Sequence, residues 1–275
     1  MGLAWLRSNL SLWRRMMDRA SWGVFGPTSS CLCRQAGRTV LQPIARFAPP
    51  PVVDGETVVY EWINLRGNSE PLGTRLMKVS RVNLEIPCFR LYTVDRFPAP
   101  DSRLANRYRT ESTVVTFNRA DLTPLSSLIY PAENDTLLFI TTLYQERNAR
   151  IITRTSDGDI ENRLPTGALT YDFFQLPFLC RSLKIISTEI PLHILVITPL
   201  TVPPGGMSTI AELSFAGTDT VGIPAGSFEC EKILVHQPYL DEIYWIEKTG
   251  ARRIILYKNL TTGRGLRLTT STVNP

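Results

Sequence analysis

The chain has no apolar run of the length, about 18 residues, that a membrane-spanning helix needs. It has only 2 histidines, which leaves little for imidazole-based acid–base or metal chemistry. The patterns G-x-S-x-G, G-x-x-x-x-G-K-[ST], G-x-G-x-x-G and H-E-x-x-H are all missing. With them goes the motif support for a serine hydrolase, a phosphate loop, a dinucleotide fold or a zincin. No strand–helix–strand alternation and no fixed repeat of solenoid length is present, which argues against doubly wound and repeat architectures. The 5 cysteines are an odd count in a chain of 275 residues, so no disulfide framework is implied. Cys31-x-Cys33 lacks the spacing of zinc or thioredoxin sites, and no feature calls for a cofactor or a metal.

What is present divides unevenly. The formal net charge of +5 suggests a nucleic-acid partner until its distribution is considered. Residues 1–50 hold seven Arg against the single acid Asp18, while the remainder carries 23 basic and 24 acidic groups. The body is therefore neutral and lacks the clustered cations of a phosphate-binding face, so no nucleic-acid binding is expected.

The opening "MGLAWLRSNLSLWRRMMDRASW" projects as an amphipathic helix. Arg7, Arg14, Arg15 and Arg19 share one arc, and Leu3, Leu6, Leu10, Trp13 and Met17 lie opposite. Arginines interrupt every candidate for the apolar core of a secretory signal. Three readings stay open: an organelle transit peptide, a helix lying on an anionic membrane through residues 1–25, or a stripe that packs on the body or reflects an over-long start. Residues 23–53 carry Gly, Ser and five prolines and read as a linker. The expected division is residues 1–53 as helix plus linker and residues 54–272 as one β-rich domain.

In that domain, apolar residues alternate with polar ones. "GETVVYEW" sets Val58, Tyr60 and Trp62 on one face. "CFRLYTVDRF", "STVVTFN", "DTLLFITTLYQE", "LHILVITPL", "EIYWIEK" and "RRIILYKN" follow, separated by Gly, Pro, Asn and Asp. "GIPAGSFECEKILV" combines a tight corner at Gly222–Gly226 with a strand. That strand is expected to turn Phe228, Cys230 and Leu234 to one side and Glu229, Glu231 and Ile233 to the other. One texture differs: "ALTYDFFQLPFLCRSL" reads as a short helical segment near residues 168–183, broken or restarted at Pro177. The fold class expected is all-β or β-dominated, a curved antiparallel sheet or incomplete β-barrel with that one helical piece.

Cys230 and His236 could be imagined as nucleophile and base, yet Glu229 and Glu231 beside the thiol would raise its pKa. The acid pair Asp157 and Asp159 falls in a turn, where Asp satisfies backbone donors. The remaining resource is aromatic. Phe173, Phe174 and Phe178 lie on the helical piece, and Tyr60, Trp62 and Trp245 on strands. Together they either fill the core or line a pocket for an apolar ligand.

The order "GETVVYEW", "LGT", "DFFQLPFLCR", "GIPAGSFECEKILV", "EIYWIEKTGARRIILYK" and "GRGLRL" spans Gly55–Leu268. It resembles the bacterial cell-envelope family named domain of unknown function 3108. The resemblance implies a curved sheet or incomplete barrel similar to lipoprotein carriers, residence in the envelope or periplasm, and no catalytic residue. Family members carry an export signal that is not recognisable here. Three functions stay in view: a non-catalytic, monomeric carrier of a lipid or other apolar molecule; a scaffold attached to a membrane surface by its basic N-terminal helix; and an enzyme of unrecognised mechanism.

Overall fold

A computed structural model gives the architecture of residues 47–67, 70–98, 108–131, 137–183, 191–201 and 203–272. All of these belong to the second of the two units into which the chain divides, Arg46–Pro275. The expected N-terminal helix and most of the expected linker lie outside the described residues.

Among the described residues, fifteen strands form one sheet. Eight precede the helix: β1 (Thr57–Asn64), β2 (Pro71–Asn83), β3 (Pro87–Pro98), β4 (Tyr108–Asn118), β5 (Pro124–Tyr130), β6 (Leu137–Tyr144), β7 (Asn148–Thr155) and β8 (Gly158–Pro165). The short β9 (Thr170–Asp172) leads through a 3-10 turn at Phe173–Gln175 into α1 (Leu176–Ser182). Six strands complete the sheet: β10 (Leu192–Thr198), β11 (Met207–Ile223), β12 (Gly226–Gln237), β13 (Leu240–Glu247), β14 (Ile254–Asn259) and β15 (Arg264–Thr272). The order runs β8 to β1, then β15 down to β9. Every pair is antiparallel except β9 with β10. The first and last strands pair in the middle of the sheet, Thr57 opposite Thr272 and Trp62 opposite Leu266.

The period of two decides the inside. Val58, Tyr60 and Trp62 are buried on β1, as their alternation predicts. In register with them come Met77 and Val79 on β2, Leu91 and Phe89 on β3, and Val115 and Phe117 on β4. The sheet is curved and open, since β8 and β9 are not hydrogen-bonded to each other. Side chains hold its two wings together instead. Ile197 of β10 packs into a cluster with Ile129, Ile140, Ala149 and Ile151 of β5–β7, and Asn162 Nδ2 of β8 donates to the Gly205 carbonyl at 2.7 Å. Gly206, at φ +72°, lies so close to Ile151 Cδ1 that a Cβ would collide there.

The helical piece is shorter than the sequence suggests, because Thr170–Asp172 extends along β10 as a strand. Asp172 caps the turn by accepting from the Phe174 amide. Pro177 falls in the first turn of α1, where its missing N–H has no helical acceptor to lose. α1 drops its apolar face onto the concave side. Leu176, Phe178, Leu179 and Cys180 are all buried, and the Phe178 ring lies 4.9 Å from Phe117 and 5.6 Å from Phe89.

Two expectations are corrected. The body does not begin at residue 54: Phe47 and Val52 belong to the main core, and the Ala48 amide donates to the Ser182 carbonyl at 2.8 Å. A proline-rich composition reads as linker, yet a stiff extended strap can also pack. On β12 the packed inner side chains are Ile233 and Val235, in register with Tyr244 and Glu242, while Cys230 is buried on the opposite, outer face. That face is not wet at this point, since Cys230 and Trp245 are both buried there. Glycines behave as the turn chemistry requires: Pro224 and Ala225 make the corner and Gly226 follows at φ +137°.

Candidate functional site

Burial of charge is the distinguishing chemistry of the interior. Arg75, Asp95 and Glu111 are successive partners across β2, β3 and β4, on the same face as Tyr60. Arg75 grips Asp95 through Nε and Nη2, at 2.8 and 2.6 Å, and stacks 4.6 Å from the Trp62 ring centroid. The Trp62 indole N–H donates to the same Asp95 at 2.7 Å. Bidentate geometry of this kind orients the groups as well as binding them. Burial, with the Asp95 charge second, pushes the Glu111 carboxyl up to about 7, against the pull of Arg75 and Arg109.

Across the β1–β15 junction lies a second buried acid. Glu242 of β13 accepts from Tyr257 Oη at 2.6 Å and Tyr244 Oη at 3.1 Å. Burial raises this carboxyl to about 7, and the two phenol donors only partly offset it. A carboxyl raised in the fold binds its proton more tightly there than in the unfolded chain. The stabilisation is therefore complete below the unfolded value near 4.5 and is lost as pH rises through about 7. Glu242→Gln is expected to lose roughly 2–3 kcal/mol less than the parent between pH 5 and pH 8, read from urea unfolding at both values. An unaltered pH slope would show that Glu242 is ionised in the fold throughout. Asp172, fully buried, is likewise raised by burial, while Tyr144 Oη (2.7 Å), Ser127 and the Phe174 amide pull against that shift.

Thiol and imidazole chemistry is placed unfavourably for catalysis. Burial, then Glu247 and Asp219 on neighbouring strands, pushes the Cys230 thiol up to about 11, opposite to what a nucleophile needs. His236 is exposed and contacts Asp241 at 2.6 Å. Asp159 forms a 2.6 Å ion pair with Arg154. Among the described residues no group of three or more His, Cys, Asp or Glu could hold a metal.

The aromatic set splits. Phe178, Tyr60 and Trp62 face the interior, and Phe173 and Phe174 pack against its core from partly buried positions. Trp245 belongs to the same buried cluster, although alternation sets it on the other side of β13 from Tyr244. There its indole donates to Asp219 Oδ2 at 2.9 Å beneath Lys232 and Lys258. Adjacent aromatics on one strand cannot share a face, and that signal was available in "EIYWIEK".

A cleft of about 560 Å³ opens at one end of the concave side, and no sequence pattern marked it. Its walls are the strap Pro49–Pro51 with Val52, and Pro87, Asn118 and Ala120 at the ends of β2–β4. Phe89 is its buried aromatic, stacked in turn on Phe178. Two exposed cations, Arg81 and Arg119, line it. The Arg81 guanidinium is held over the cleft by a 3.1 Å bond to the Val52 carbonyl.

No family model matches the chain, and no curated protein matches it either. Among solved structures it is similar to a β-barrel-like protein of domain of unknown function 1849 from Brucella abortus, at 6% identity and TM-score 0.54, covering 82% of this chain and 100% of that one. A protein with YmcC-like fold from Bacteroides fragilis aligns at 9% identity and TM-score 0.33, covering 83% of this chain and 100% of that one. The first likeness shows the fold, a barrel-like antiparallel sheet. The expected fold class is the one observed, whereas membership of family 3108 itself finds no support.

Proposed function

We propose that the protein is a non-catalytic binding module that holds an amphiphile, an apolar chain with an acidic headgroup. The observation that carries this reading is the cleft itself. Its volume of about 560 Å³ falls within the roughly 300–1,000 Å³ of small-molecule sites. Prolines, Val52 and Phe89 offer an apolar seat, and Arg81 with Arg119 offers charge-assisted donors to a carboxylate or phosphate. Phe178 takes part indirectly, as the support behind Phe89. The buried thiols, raised in pKa, and the exposed imidazoles accord with a role without covalent chemistry.

Calorimetric titration of the full chain with dodecanoate and with dodecanol tests the reading. Dodecanoate is expected to bind and the alcohol to bind more weakly. Arg81→Gln with Arg119→Gln should weaken dodecanoate by on the order of 10–100-fold. Equal binding of both ligands, binding indifferent to the two arginines, or no binding at all would overturn it.

A further inference from the structure

We propose that the outward face of β2–β8 docks on an anionic lipid surface. The argument is independent of the cleft and stands if the cleft is empty. Register assigns the outward side chains of this wing, and their charge is lopsided. Lys78, Arg90, Arg96, Arg150, Arg154 and Arg163 point outward, against only Asp159 and Glu161. The other wing, β1 with β10–β15, shows the reverse on its strands. There Lys232, Lys258 and Arg267 meet Glu61, Glu212, Asp219, Asp241 and Glu247.

Between the basic rows runs an apolar band. Tyr92, Val114, Leu128 and Ile152 follow one another across the ladder, joined by Thr141. Tyr130 is 47% exposed, Tyr92 38% and Leu143 37%. The Tyr130 and Phe139 rings pair at 6.2 Å, with Arg154 lying 5.2 Å over Phe139. A band of this kind seldom stays uncovered on a soluble face. Its composition suits the boundary of a bilayer, where tyrosine rings sit at headgroup level and long cationic side chains reach phosphates. An acidic headgroup layer satisfies both the cations and the apolar band.

Co-sedimentation of the full chain tests this with two vesicle types, phosphatidylcholine alone and phosphatidylcholine with one quarter phosphatidylserine. Binding to the serine-containing vesicles is expected, and little to the neutral ones. Lys78→Glu with Arg90→Glu, neither in a described ion pair, should weaken it by on the order of twenty-fold or more. Tyr92→Ser with Tyr130→Ser should weaken it as well. Lys248→Glu with Arg66→Glu, an equal charge change at exposed turns, should do far less. Thermal unfolding of each variant close to the parent shows that the face, and not the fold, was altered. Equal losses from both charge pairs, or no loss from the first, would assign binding to net charge or to another segment and overturn the proposal. So would a concentration-dependent dimer abolished by the tyrosine changes without vesicle binding, since the band would then serve a second copy of the chain.

Discussion

Glu56→Ala is expected to destabilise the protein by about 3–5 kcal/mol, the loss typical of breaking a buried ion pair on one side. Arg181 and Glu56 are each only 2% exposed, with one guanidinium nitrogen at 2.9 and 3.0 Å from the two carboxylate oxygens. The same side chain donates to the carbonyls of Arg252 at 3.0 Å and Ala251 at 2.9 Å. In return, Arg252 Nε donates to the Arg181 carbonyl at 2.9 Å. This knot joins α1 to the entrance of β1 and to the β13–β14 turn, three places far apart in the chain. Removing Glu56 leaves a buried cation with carbonyls alone for partners. The double change Glu56→Gln with Arg181→Met should lose clearly less than Glu56→Ala, because no uncompensated charge stays inside. Guanidinium unfolding of the three proteins gives the comparison. A single mutant as stable as the parent would mean that water reaches Arg181.

Phe178→Ala is expected to cost about 3–5 kcal/mol, the range for emptying a fully buried aromatic site. The ring has no exposed surface and packs on Phe89 and Phe117, cross-strand partners held side by side on β3 and β4, so strands fixed in their ladder limit collapse into the gap. Phe173→Ala, at a partly buried position, should cost far less. The ordering of the two midpoints is the readout, and comparable losses would show that α1 does not cap the concave face as its contacts indicate. The same truncation removes the support behind Phe89, so it should also loosen any ligand seated in the cleft.

How far these features could be read beforehand depended on the distance over which each is encoded. The alternation Val58, Tyr60, Trp62 and the corner at Pro224 are local, and both were readable. So was the helical piece, because Pro177 at a first turn and a cluster of phenylalanines break the two-residue rhythm. The pairing of β1 with β15 was not readable, since nothing in either strand specifies its partner across the chain. Charged inward positions were hidden for a different reason. Arg75, Asp95, Glu111 and Glu242 are charged residues at inward positions, and only cross-strand pairing reveals that Arg75 meets Asp95 and that Glu242 meets two tyrosines. Arg181 likewise looks like the solvated end of a helix until Glu56 is brought beside it. The strap at Phe47–Val52 was obscured by composition, because the stiffness that marks a proline-rich spacer also suits a packed cover.

The meeting of the first and last strands at the centre of the sheet sets a condition on assembly. Apart from the parallel β9–β10 pair, each wing is a run of neighbouring hairpins that can zip from its own turns, but the ladder uniting them closes a loop of nearly the whole domain. Such closure carries an entropic penalty that nearby contacts do not offset until the seam forms. During synthesis the amino-terminal meander therefore waits, with its inner face and the edge of β1 uncovered, until the final strand has emerged. That interval, more than any feature of the finished molecule, is where the chain is most exposed to pairing with the wrong neighbour.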